Sequence, residues 1–373
     1  MGYRLKIVTL IVCLSFVFLP FFCKWAEAKN TITIKDMAGR SVVIPDKVDR
    51  IVALSSTLRF VVYLKGIDKV VGIEAAEKKE VLNAGRPYLA ALRGKADKIP
   101  VIGEGGAGRL PDFEKLISVA PQVIFTASTD PAHADIIQQK TNIPVVAVSY
   151  GGVGLLESDE VISSLNLMGR ILKTENRANQ IKDFINKTLK DLQRRTDKIP
   201  QNKKPSVYVG GVSYRGAHGI TSTQAFYPPL QWVNALNVAN TLNKQGSIFI
   251  DREKLLVWDP DIIFIDINGF SLVGDDYKKE PMFYKKLKAV KNNRIYSTLP
   301  YNNYFTNLEI ALSNAYFMGK VLYPDKFSDI DPAKKANEII SFFTGVPTYN
   351  EIKEQLKGFG NITFGLEGLD VKQ

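Results

Sequence analysis

Cysteine and histidine are almost missing from this chain. Among 373 residues there are two of each, and both cysteines, Cys13 and Cys23, fall within the first 28 positions. Cleavage after Ala28 would leave no thiol, which excludes disulfides, cysteine-ligated zinc and a cysteine nucleophile. Two isolated histidines, His133 and His218, are too few for a His-cluster metal centre. No G-x-S-x-G elbow and no G-x-x-x-x-G-K-[ST] loop occurs, so neither that hydrolase nucleophile nor a phosphate-cradling ATP site is encoded. A Ser/His/Asp set assembled from distant positions stays open. Beyond the N-terminus no apolar run is long enough to span a bilayer. Nor is there a basic block: the net charge is +11, and removal of Arg4, Lys6, Lys24 and Glu27 with residues 1–28 leaves 46 basic against 37 acidic residues. Those lysines are dispersed, which argues against nucleic acid as a partner. They suit either a solvated surface or a mild field that gathers an anionic ligand.

What is present begins with an export signal. Arg4 and Lys6 precede an apolar stretch from Ile7 to Phe22, and Ala26-Glu27-Ala28 has the small-x-small form of a cleavage site. Phe21 and Phe22 stand where lipoprotein processing at Cys23 wants a small residue, so a lipid anchor there is disfavoured. At 373 residues the chain exceeds what one core usually covers, and two domains are expected.

The organising stretch occurs twice: E-K-L-I-S-V-A-P-Q-V-I-F over 114–125, and E-K-L-L-V-W-D-P-D-I-I-F over 253–264. Each copy reads as a helix stopped by Pro121 or Pro260, followed by a short apolar strand buried in a parallel sheet. Strand-like runs flank each copy, Arg50–Leu54 and Asn142–Val148 in the first half, Ser206–Gly210 and Asn293–Tyr296 in the second. The expected fold is α/β: two Rossmann-like lobes with small, mostly parallel sheets. A crevice would lie between them at the carboxyl ends of the strands, where such sheets bind ligands. The expected division is a signal peptide over 1–28, an N-terminal lobe over 29–156, a connecting helix over 157–198, a C-terminal lobe over 199–327 and a helical extension over 328–373. The connecting helix should break near Lys173-Thr174, and its second part, 175–196, would run about 33 Å at 1.5 Å per residue. A strut of that kind predicts small lobe movements.

Candidate ligand residues lie in loops that follow strands. The 211–219 loop is richest, with Tyr214, Arg215 and His218 among three glycines. Tyr214 could stack, Arg215 could grip an oxyanion, and His218 or Tyr214 could ligate a metal directly. Tyr301, Asn302 and Tyr304 form a second group, Tyr150 belongs to the loop after Val148, and Arg59 and Arg109 are the first lobe's candidate cations. His133 reads as a solvated helix residue. The G-E-G-G-A-G run at 103–108 formally matches a dinucleotide fingerprint, but Arg109, Leu110 and Pro111 separate it from the next helix, so it reads as a loop.

Taken in order, the signal peptide, the D-x-x-G-R hairpin (Asp36, Gly39, Arg40), Pro45 followed by Arg50-Ile-Val, and the repeated E-x-L…P-x-[VI]-I unit resemble a known family. These are the exported substrate-binding proteins of ABC importers for ferric siderophores, haem and vitamin B12. The resemblance runs to about residue 327. It implies two α/β lobes joined by a long rigid helix, a shallow ligand cleft and no enzymatic activity. It implies that Glu114 and Glu253, one at each repeated helix start, dock onto arginines of an inner-membrane permease served by its own ATPase. The expected protein is periplasmic and monomeric, needs no cofactor, and carries an Fe(III) complex, a ferric siderophore before molybdate or tungstate, a corrinoid or haem. The rival from another class is an exported two-domain enzyme using the same cleft.

Overall fold

Short β-branched runs bounded by proline, glycine or polar turns form the strands, and their burial decides which sheet positions they take. The computed structural model describes residues 30–80, 83–106, 108–127, 130–151, 158–365 and 368–373. The expected signal peptide, its cleavage site and both cysteines lie outside the described residues. The strands are β1 (Thr31–Lys35), β2 (Ser41–Pro45), β3 (Ile51–Leu54), β4 (Val70–Gly72), β5 (Val123–Thr126), β6 (Val145–Ala147) and β7 (Ser206–Gly210). They continue with β8 (Ser222–Ala225), β9 (Leu236–Asn237), β10 (Gly246–Phe249), β11 (Ile262–Asp266), β12 (Ile295–Thr298), β13 (Gly360–Gly365) and β14 (Gly368–Lys372).

Two sheets dominate. The first has the order β4-β3-β5-β6, the second β14-β13-β12-β11-β7-β9. In the first, every pairing is parallel. In the second, β9, β7, β11 and β12 are parallel, and β13 and β14 add an antiparallel edge. The repeated unit supplies a central strand to each: β5 pairs with β3 (Ile51 opposite Val123) and β11 with β7 (Val207 opposite Ile262). Every residue of β3, β5 and β11 is buried. Helices therefore cover both faces, as an apolar run without alternation requires.

The D-x-x-G-R motif has a physical role. Asp36 is buried at the β1–β2 turn, where Oδ1 accepts the Ala38 and Arg40 amides and Oδ2 accepts the Ala147 amide at 3.1 Å. Arg40 bonds Gln138 and the Val145 carbonyl. The hairpin is thereby pinned beside β6.

Between the sheets run two helices, Ser158–Leu172 and Glu175–Thr196. The break falls at Lys173, whose φ of 59° ends the first helix, and the Thr174 amide closes back onto the Gly169 carbonyl at 2.8 Å. The second helix is tied to both sides. Arg177 donates to the Tyr63 carbonyl at 2.9 Å, whereas Asp191 accepts from Tyr316 and Arg195 pairs with Asp329.

The tail departs from expectation. Residues beyond 328 are not a helical extension alone: helices Pro332–Thr344 and Tyr349–Leu356 are followed by the β13–β14 hairpin, which extends the second sheet. The helices lean on the first lobe, through Phe343 against Tyr63 (4.9 Å between ring centroids) and an Arg93–Glu351 ion pair. Ile362 and Phe364 alternate with Asn361 and Thr363, the period-two pattern of a strand with one covered face.

Candidate ligand-binding site between the two sheets

The carboxyl ends of β3, β5 and β6 in one sheet, and of β7, β11 and β12 in the other, send out the loops that carry the candidate residues. The loop after β12 crosses to the first lobe, and Arg59 receives it. This guanidinium is wholly buried and donates to the carbonyls of Thr306 (2.9 Å), Tyr304 (2.9 Å) and Asn303 (3.2 Å). It also lies over the Tyr88 ring at 4.5 Å, a stacking contact that favours arginine over lysine. The two terminal nitrogens of Arg59 are thus spent mainly on the opposite lobe, while its Nε is buried without a hydrogen-bond partner among the described residues.

Tyr150 and Tyr304 complete this junction. The Tyr150 hydroxyl donates to the Ser56 carbonyl at 3.0 Å, and its ring stacks on Phe60 and meets Phe305. Tyr304 donates to Glu74 Oε2 at 2.6 Å and accepts the Gly106 amide at 2.9 Å. Arg86 lies over the Tyr304 ring at 4.9 Å and donates to Asn303 Oδ1 at 2.8 Å. Asn302 stays on its own side, accepting from Asn268 through its carbonyl and from Thr306 through its side chain. Tyr301 is fully buried with its ring edge-on to Tyr227, so it packs the second lobe.

The 211–219 loop is folded on itself. His218 Nε2 sits 2.7 Å from the Tyr214 carbonyl, its ring is edge-on to Phe249, and the exposed Arg215 lies over the Tyr214 ring at 5.5 Å. Its base packs closely on the turn after β11, where a Cβ at Gly269 would come within 2.4 Å of the His218 carbonyl oxygen. Among the described residues no hydrogen bond joins this loop to the first lobe. Tyr214, Arg215 and His218 therefore rim the second lobe, apart from the junction built by Arg59, Tyr150 and Tyr304. Arg109 is exposed and lies along Gly106. His133 is half-buried on its helix, and burial lowers its pKa.

Sequence reasoning missed the acidic members. Glu74 is buried and accepts the Ser55 amide at 3.0 Å; burial raises its pKa against the pull of the Tyr304 and Ser55 bonds. Glu77, wholly buried, accepts from Tyr88 at 2.9 Å and leaves Oε2 without a partner among the described residues; burial and the neighbouring Glu74 push it up to about 8. Across the junction, buried Glu309 bonds the Tyr63 hydroxyl. A signal did exist for Glu74, which directly follows the Lys69–Ile73 run and so belongs to a loop at a strand's carboxyl end.

Glu114 and Glu253 occupy equivalent places. Asp112 caps the helix Phe113–Ser118 by accepting the Lys115 amide, and Asp251 caps Arg252–Trp258 by accepting the Lys254 amide. Each glutamate is the second residue of its helix and exposed, and neither has a side-chain partner among the described residues. Among the described residues no group of three or more acidic, histidine or cysteine side chains is placed to hold a metal ion, and no helix is long and apolar enough to cross a membrane.

A family profile described as periplasmic binding protein matches residues 51–301, from the start of β3 to the loop after β12. The chain belongs to that family. Among curated relatives of this periplasmic binding protein, the molybdate-binding protein MolA of Haemophilus influenzae is 24% identical over 331 residues, covering 83% of this chain and 90% of its own. The Fe(3+)-citrate-binding protein YfmC of Bacillus subtilis is 24% identical over 276 residues, covering 73% of this chain and 79% of its own. Molybdate-bound MolA aligns with a TM-score of 0.67 at 20% identity, over 85% of this chain and 98% of that one. The TroA-like binding protein FepB of Veillonella parvula aligns at 0.65, also at 20% identity, over 84% and 97%. These solved structures share the fold. Family membership makes the chain a substrate-binding protein of ABC transport, and its named relatives are binding proteins rather than enzymes.

Proposed function

We propose that this periplasmic binding protein captures an Fe(III) complex with anionic oxygen ligands, a ferric siderophore or a related chelate, and delivers it to an inner-membrane permease. The observation that supports the reading is the meeting of both sheets' carboxyl ends around N–H donors, Arg86 and the Ser55 and Gly106 amides, now held by Asn303, Glu74 and Tyr304, with the cation Arg215 exposed on the second lobe's rim. Such a set suits oxygen-rich anions. The ferric citrate relative fits this chemistry. Molybdate is the second reading, favoured by the longer match to MolA and by backbone donors that suit a small oxyanion.

Export, release into the periplasm and action as a monomer belong to the same proposal. So does docking through Glu114 and Glu253, since two unpartnered carboxylates at matching helix starts can each pair with a permease arginine. Metal analysis and mass spectrometry of protein purified from its native periplasm test the cargo, followed by titration with ferric citrate, a ferric hydroxamate and molybdate. Stoichiometric binding of one iron chelate without turnover is expected. Tight binding of molybdate alone would transfer the assignment to the oxyanion. Product formation from any candidate would reinstate an enzyme.

A further inference from the structure

The end of β3 is built in an unusual way. Two successive non-glycine residues, Ser55 and Ser56, have φ of 51° and 68°, a region that L side chains seldom enter. This turns the Ser55 amide onto Glu74 Oε2. On the facing rim, Tyr304 and Phe305 repeat the pattern with φ of 53° and 65°. That turn carries the Tyr304 hydroxyl to the same Glu74 oxygen.

The Gly103–Gly106 loop closes the arrangement. A Cβ at Gly105 would lie 2.8 Å from the Glu74 Cβ, and Gly106 presents its amide to the Tyr304 oxygen at φ 125°. Only a residue without a side chain lets backbone approach this closely. Glu74 itself is 3% exposed and has no lysine or arginine in ion-pair contact among the described residues. A buried carboxylate normally needs such a partner. Here it is held by an amide and a phenol, with the Arg86 guanidinium over the phenol ring.

Remove Glu74 and the Tyr304 hydroxyl, and what remains at this place is a set of donors: the Ser55 and Gly106 amides and, beside them, Arg86, which is itself bonded to Asn303 Oδ1 and the Ala76 carbonyl. Carboxylate and hydroxyl together fill the place of an anion. We propose that Glu74 and Tyr304 are a built-in occupant of an anion subsite, and that a carboxylate or oxyanion group of the cargo displaces them from the Ser55 and Gly106 amides. This rests on the transport reading and deepens it. Cargo entry and release of one interlobe contact become a single exchange, and a neutral ligand cannot make it.

Calorimetric titration of the full chain with ferric citrate and with molybdate, using wild type, Glu74→Ala, Glu74→Gln and Tyr304→Phe, tests the exchange. Glu74→Ala should bind at least one probe about tenfold more tightly, and Tyr304→Phe should bind it more tightly by a smaller factor. Glu74→Gln, neutral but the same size, should fall between Ala and wild type. The probe that responds separates a carboxylate chelate from an inorganic oxyanion. Should Glu74→Ala fail to fold, Tyr304→Phe decides alone. A probe that binds wild type but binds Glu74→Ala and Tyr304→Phe equally or more weakly overturns the subsite and leaves the transport role standing. If no probe binds any form, both readings fall.

Discussion

Replacing Arg59 by Met would test how the two lobes are held. Methionine keeps the length and apolar body of the side chain but removes every donor. Three carbonyls of the loop after β12, those of Asn303, Tyr304 and Thr306, then lose their partner. An unpaired buried acceptor costs about 1–3 kcal/mol. The 3.2 Å bond to Asn303 lies at the long limit, so the two 2.9 Å bonds should dominate, for a loss of about 3–5 kcal/mol. That is a large share of the roughly 5–15 kcal/mol that holds a typical domain together. Arg59→Lys keeps the charge but not the planar fork, so it should lose less than Met and more than nothing. Urea denaturation with tryptophan fluorescence measures the stability change, and small-angle scattering reports whether the lobes separate. A loss below about 1 kcal/mol for Arg59→Met, with unchanged scattering, would show that the carbonyls find other partners and that Arg59 is not the clasp.

Two further expectations concern the acidic residues. Glu77 is pushed up to about 8 in the folded chain, whereas an unfolded glutamate titrates near 4.3, so the folded state holds a proton that the unfolded state gives up between those values. Its contribution is fully present below pH 4 and is lost as pH rises through 8, at about 1.4 kcal/mol per pH unit. Glu77→Gln should therefore flatten the stability profile between pH 5 and 8 by one proton's worth; an unchanged slope in urea titrations would refute the assignment. Replacing Glu114 and Glu253 together by Ala should abolish uptake in cells that depend on this chain, with ligand Kd within a few-fold of wild type and stability within about 0.5 kcal/mol per site. A large loss of affinity would place these carboxylates in the cleft instead.

The backbone of the fold was legible where local chemistry decides it. The two proline-stopped helices and the buried strands after them follow from residues that cannot do otherwise, whereas the break at Lys173 was legible only as an interruption in the apolar spacing. Pro121 and Pro260 cannot extend a helix, and Ile-Phe runs without polar alternation belong between covered faces. Strands β8 and β10 were not legible. Ser222-Thr-Gln-Ala225 has no apolar period, and it is a strand because Gly246–Phe249 lies antiparallel beside it. The β13–β14 hairpin escaped for a related reason: its outer positions are half-covered, and the partner that orders it, β12, lies more than sixty residues earlier.

In the site, residue type was a better guide than residue role. Arg59, Tyr150 and Tyr304 were singled out as ligand contacts because they follow strands, and all three do stand between the sheets, but their polar atoms are engaged with the opposite lobe or their own loops. Sequence cannot distinguish a guanidinium offered to a ligand from one offered to three carbonyls some 245 residues away. That distinction bears on how the cleft must work. The helix Glu175–Thr196 is anchored to the first lobe through Arg177 and to the second through Asp191 and Arg195, and the tail bridges both through Phe343 and β13. With these rigid ties in place, a wide hinge motion would have to break contacts far from the ligand. The contacts within reach of an incoming anion are those of the 299–307 loop, where Tyr304 and Phe305 already hold a strained backbone. Opening should therefore be local, a movement of that loop between fixed lobes, and amide exchange should speed up at 302–307 well before it does in the connecting helix. Equal exchange rates in the two segments would mean that the strut itself yields.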